Sequence, residues 1–197
     1  AIVISPPDAF PDEQKIVTRL FDAGLSRFHL RKPEWTPARL REWVGALPRR
    51  HHAKLVVHAQ PAVVSELRLG GLHLRTGQPH PGNWPQDIPV SQSCHSFGEL
   101  TIYARHRAYA MLGPVFPSIS KRDYTPQRTP EEYAVIINQW RTEVGTCPLL
   151  ALGGLTPENI PRARALGFDG FAVVGSVWEA DDPVEGFKRL RDAWTRK

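Results

Sequence analysis

Eight times along this 197-residue chain a short apolar run gives way to a longer amphipathic or polar stretch. Each switch from strand-like to helix-like patterning is the signature of consecutive βα units. The predicted strands are Ala1–Ser5, Phe28–Leu30, Lys54–His58, Gly71–Leu74, Val90–Ser93, Ala108–Leu112, Leu149–Leu152 and Gly170–Val174. A predicted helix over Pro11–Ala23 places Ile16, Val17, Leu20 and Phe21 on one face and stops before Gly24,. Thr36 and Pro37 open the next, whose stripe of Leu40, Trp43, Val44 and Leu47 ends at Pro48,. Ser96–Arg105, Thr129–Arg141, Ile160–Leu166 and Asp182–Ala193 read the same way. The fourth interval, RTGQPHPGNWPQDIP, holds too much proline and glycine for a helix and is expected to be an irregular loop,. Eight alternations point to one α/β domain over residues 1–197, a (β/α)8 TIM barrel,. The competing doubly wound sheet would need only five or six strands.

Composition matters here for what it excludes. The net charge of +5 favours anionic ligands, but the basic residues are scattered, with only short pairs such as Arg49-Arg50 and Lys121-Arg122,. That is not the basic stripe with interleaved aromatics of a nucleic-acid protein. The longest apolar runs, such as AIVI and GFAVV, cannot span a membrane, and AIVIS at the start reads as a strand rather than a leader,. A cytoplasmic protein is expected. Cys94 and Cys147 form no CxxC and suit reduced, structural thiols,.

Barrel chemistry sits at the C-terminal ends of the strands, and phosphate commonly binds the loops after strands seven and eight. Gly153-Gly154 follows the seventh predicted strand, just ahead of a helix opening at Thr156, and Gly175-Ser176 follows the eighth. Paired glycines let backbone N–H groups approach an anion, and a helix N-terminus adds a favourable dipole. Ser118, Ser120 and Lys121, in GPVFPSISKRDY after strand six, could grip a second anion,.

His29, His58, His73 and His95 fall at the ends of four consecutive predicted strands, half of the eight histidines present. A zinc site is set aside because no HxH or HxxxH spacing supports it, and acid–base work suits imidazole near neutral pH. No metal and no cofactor are expected.

HLRKP, GLHL, SCHS, LGPVFPSISK, ALGGLTPENI and GFDGFAVVGS, in that order, resemble the thiamin-phosphate synthase and TenI (thiazole tautomerase) superfamily. The resemblance covers nearly the whole chain and implies a barrel with thiazole or pyrimidine phosphate ligands. It also departs from the synthases. Their Gln-x-Arg-x-Lys after strand two becomes His29, Arg31 and Pro33, with Lys32 the nearest lysine. Their Asn-Asp after strand three becomes His58 and Ala59, and their second magnesium carboxylate falls at Gln78, with Asp87 too far along to replace it.

Magnesium strongly prefers carboxylate oxygen, so the resemblance points first to a metal-independent, TenI-like thiazole tautomerase. His95, in the Ser93-Cys94-His95-Ser96 context of that family's base, is the expected acid or base, with His29 and His58 shaping the pocket. Arg31, Lys32, Ser93, Ser118, Ser120, Lys121, Gly153, Gly154, Gly175 and Ser176 form the expected substrate and phosphate grip. The alternatives are a divergent thiamin-phosphate synthase, which would call for Mg2+, and a non-catalytic barrel that binds a pathway phosphate. The expected partner is a small phosphorylated thiazole or pyrimidine, with neither nucleic acid nor membrane, and a homodimer is common among such barrels.

Overall fold

Each strand pairs with its neighbours in sequence, and the first pairs with the last. In the computed structural model, which describes residues 1–117, 126–145 and 147–196, eight parallel strands close on themselves in chain order. They are β1 (Ile2–Ile4), β2 (Arg27–Leu30), β3 (Leu55–His58), β4 (Gly71–Leu74), β5 (Val90–Cys94), β6 (Ala110–Leu112), β7 (Leu149–Leu152) and β8 (Gly170–Val173). The closing pair aligns Ile2 with Ala172 and Val3 with Val173. The barrel is therefore the expected one, and the strand order excludes a doubly wound sheet.

The helices follow from local chemistry. Around the barrel run α1 (Glu13–Asp22), α2 (Pro37–Gly45), α3 (Pro61–Leu67), α4 (Phe97–Tyr103), α5 (Pro130–Glu143), α6 (Ile160–Ala165), α7 (Gly175–Trp178) and α8 (Pro183–Thr195). Thr36 caps α2 by accepting from the Arg39 N–H, and Thr129 caps α5 in a capping box with Glu132,. Asp182 accepts from the N–H groups of Val184 and Glu185 at the start of α8. The short α3 and α7 carry little periodicity and escape a sequence reading. No helix lies between β4 and β5, as expected; there Trp84 is buried and donates from Nε1 to the Ile88 carbonyl at 2.8 Å. Among the described residues no helix is long and apolar enough to cross a membrane.

Strand alternation sorts the interior. Outward residues such as Val3, Phe28, Leu30, Val57, Leu72, Leu74, Ala110, Leu112, Phe171 and Val173 join the main core against the helices,. Inward residues split by chemistry. Ile2, Ile4, Met111 and Ala172, with Leu150, Leu152 and Val174, form an apolar half, which Tyr109 joins. The β2–β5 side is polar instead, with His29, His73 and Ser91 buried there.

Candidate functional site

A cleft of about 480 Å3 opens at the C-terminal ends of the strands. On its β2–β4 side stand Arg31 and Arg75, both lining it. The Ser5 hydroxyl accepts from the Arg31 N–H at 2.8 Å and donates to the Arg31 carbonyl at 3.1 Å, so β1 fixes the start of that loop. Gln78 accepts from the Arg75 N–H and Gln92 donates to the Arg75 carbonyl. Both backbones are held, while neither guanidinium is hydrogen-bonded to another of the described residues. Two forked donors facing a cleft are suited to phosphate oxygens.

The opposite wall comes from β7 and β8, where Gly153, Gly154, Gly175 and Ser176 all line the cleft as expected. Gly153 and Gly154 sit at φ +97° and +61°, a region side chains rarely adopt,. A Cβ on Gly154 would stand 2.1 Å from the Pro117 carbonyl oxygen. The glycines are thus required by the turn and by the packed β6 loop, whatever binds there. Thr156 and Asn159 brace the turn by exchanging side chain-to-N–H bonds, and Asn159 Nδ2 donates to the Gly154 carbonyl. The helix itself starts only at Ile160 and is six residues long, so the dipole argued from a helix opening at Thr156 does not apply. The Ser176 hydroxyl donates to the Leu155 carbonyl, tying the β8 loop to this wall.

His95 lines the cleft from the end of β5. Its Nδ1 lies 2.5 Å from the Gly113 carbonyl, which can only accept, so Nδ1 carries a proton and donates it there,. The Glu99 carboxylate accepts from the His95 N–H, and Arg128 donates to the His95 carbonyl. Ring and backbone are thus both held in place.

The other three histidines form a separate constellation. Their ligand-capable nitrogens lie within 4.8 Å of one another. His29 Nδ1 is 2.9 Å from His58 Nε2, and His29 Nε2 is 2.6 Å from the Tyr109 hydroxyl. His73 sits between Ser91 and Ser93, each hydroxyl 2.8 Å from one ring nitrogen. Burial pushes all three imidazoles below their ordinary range, His73 to about 3, so they are neutral at working pH,. His58, His73 and Ser93 line the cleft, whereas His29 is wholly buried beneath it.

Lys32 is not brought to the cleft. Its ammonium is buried against α1, 2.8 Å from Glu13 and 2.5 Å from the Asp8 carbonyl, and Trp43 Nε1 donates to the same carboxylate. Next to Arg31 along a strand exit, it points to the opposite side of the chain, away from the cleft where the phosphate grip was expected. Ser118, Ser120 and Lys121 lie outside the described residues. His73 had no assigned role, and Arg75, Thr76 and Tyr109 were not anticipated at all; a polar residue inside an otherwise apolar parallel strand was the signal for His73.

Among the described residues no carboxylate lines the cleft. Ala59 adopts φ +55°, a left-handed position that asparagine and aspartate tolerate better than alanine,. It is also where the resemblance aligned a synthase aspartate. The backbone shape suits that residue, while the side chain is gone.

The family model described as thiamine monophosphate synthase matches residues 1–177. The thiamine-phosphate synthase of Erythrobacter litoralis is 26% identical over 192 residues, covering 91% of this chain and 88% of that protein. That of Laribacter hongkongensis is 28% identical, covering 85% and 80%. A solved thiamine phosphate pyrophosphorylase from Bacteroides thetaiotaomicron superposes with a TM-score of 0.80 at 29% identity, covering 98% of this chain and 95% of its own.

Proposed function

The chain belongs to the thiamine monophosphate synthase family, and from that premise we propose that it joins a pyrimidine diphosphate to a thiazole phosphate, releasing diphosphate. The observation that carries this reading is the pair of guanidiniums of Arg31 and Arg75, neither hydrogen-bonded to another of the described residues, across the cleft from the glycine turns of β7 and β8. Two anionic substrates need two grips. A diphosphate employs both arginines, and the glycine wall takes the thiazole phosphate. As the thiazole nitrogen's lone pair forms the new carbon–nitrogen bond, the carbon–oxygen bond to the diphosphate breaks, the leaving group keeps that electron pair, and the guanidiniums stabilise its charge in a partly dehydrated site. The names of the relatives support this reading over the tautomerase expected from the missing carboxylates.

The family resemblance implies Mg2+ for such a departure, but the residues present do not fit it. Ala59 and Gln78 stand where the carboxylates would be, and no described carboxylate lines the cleft,. No step is therefore routed through magnesium.

The test is formation of thiamin phosphate by the purified protein from both substrates. Arg31→Gln and Arg75→Gln should each raise KM for the diphosphate about tenfold or more, in keeping with one lost charged hydrogen bond. Folded protein that forms no product overturns the synthase reading. A tautomerase would then be favoured by His95, which lines the cleft with its Nδ1 held by the Gly113 carbonyl. In that case His95→Ala abolishes tautomer interconversion and spares phosphate binding.

A further inference from the structure

The His29–His58–His73 trio is built like a three-nitrogen metal site, and we propose that it binds one zinc-class divalent cation in the floor of the cleft. The three ligands come from adjacent strands: His58 is in register with His73, and His29 lies one strand over, in register with Val56. Their ring centroids are 5.1, 5.1 and 4.4 Å apart, and the ring planes are inclined by 79°, 64° and 37°. The rings are arranged around a common point and not stacked flat on one another. Tetrahedral zinc with bonds of 2.0–2.1 Å holds its nitrogens about 3.3 Å apart. The present spread, from 2.9 Å to at most 4.8 Å, is within small side-chain rotations of that spacing.

The surroundings are those a metal-bound imidazole uses. A ligating histidine donates its other N–H to an oxygen, which sets tautomer and ring orientation. His29 has the Tyr109 hydroxyl at 2.6 Å on Nε2, leaving Nδ1 to ligate. His73 has a serine hydroxyl at each nitrogen, so one can hold the ring while the other yields its place to the cation. His29 and His73 are inside the barrel while half-buried His58 reaches the cleft, so a fourth position opens toward substrate.

The donor chemistry selects the ion. Three imidazoles and no carboxylate suit Zn2+ and its first-row neighbours, and suit neither Mg2+ nor Ca2+. On the proposed synthase reading, such a cation would supply, beside Arg31 and Arg75, the positive charge that magnesium and its carboxylates supply elsewhere. That role rests on the reading; the binding site does not.

Metal-free full-length protein titrated with Co2+, without substrates, tests the site. The expected result is saturation at one equivalent, with the intense visible bands of four-coordinate cobalt and displacement by one equivalent of Zn2+. His58→Ala should weaken binding at least a hundredfold, and Tyr109→Phe about tenfold. His95→Ala, in the same cleft but outside the trio, should bind as the wild type does. No saturable binding by the folded wild type, or only the weak spectrum of six-coordinate cobalt, overturns the proposal. So does a cobalt spectrum that survives His58→Ala. Should that variant not fold, the wild-type spectrum and Tyr109→Phe still decide. Because turnover is not read, the metal site and the synthase activity stand or fall separately.

Discussion

Lys32 shows how little a residue's place in a motif says about its work. It follows Arg31 in the motif after β2, yet its side chain is 0% exposed and paired with Glu13 at 2%. Burial pushes the glutamate's pKa up and the lysine's down, each opposed by the other's charge, so the pair survives because its hydrogen bonds are complete,. Removing one member strands the other. Lys32→Met is expected to cost about 3–5 kcal/mol in urea unfolding while KM for either phosphorylated substrate stays unchanged. A variant of normal stability with a raised KM would return Lys32 to the phosphate grip. The buried pair could not be read from sequence, because Glu13 and Lys32 sit on different elements and meet only when α1 packs beside β2. Arg31, by contrast, was legible: the resemblance carried it over, and the structure places it in the cleft.

At the scale of elements, what could be read depended on how local the cause is. The caps Thr36, Thr129 and Asp182 act within three residues of themselves, and each helix begins where its cap and proline indicate,. The glycine wall was also foreseen, but for an incomplete reason. Gly154 needs its left-handed φ and has the β6 loop's carbonyls where a side chain would go, so loop packing is the constraint as much as anion approach. Gly154→Ala is accordingly predicted to lose about 1–3 kcal/mol of stability in thermal or urea unfolding. By displacing the wall it should also weaken thiazole-phosphate binding about tenfold in a direct titration. Normal stability and normal affinity together would show that the turn tolerates a side chain and is not a phosphate grip.

The whole molecule is organised by the asymmetry of its interior, apolar from β6 round to β1 and polar from β2 to β5. Tyr109 joins the halves: it belongs to the apolar side and its hydroxyl meets His29. Tyr109→Phe removes one partner from a buried ring nitrogen, so metal-free protein should lose about 1–3 kcal/mol in thermal unfolding. An unchanged Tm would mean that His29 finds another partner and the network is not shared across the barrel. The barrel itself was determined by sequence alone, since short apolar runs alternating with amphipathic stretches, eight times over, leave one economical way to bury every strand on both faces. So was the family, because its motifs are runs of adjacent residues. The histidine trio was decided only by tertiary structure. His29, His58 and His73 are separated by whole helices or turns in the chain, so no spacing rule along the sequence can find them. Closing the barrel sets three strands side by side about 4.8 Å apart, and the pleat then aims one imidazole from each at the same point.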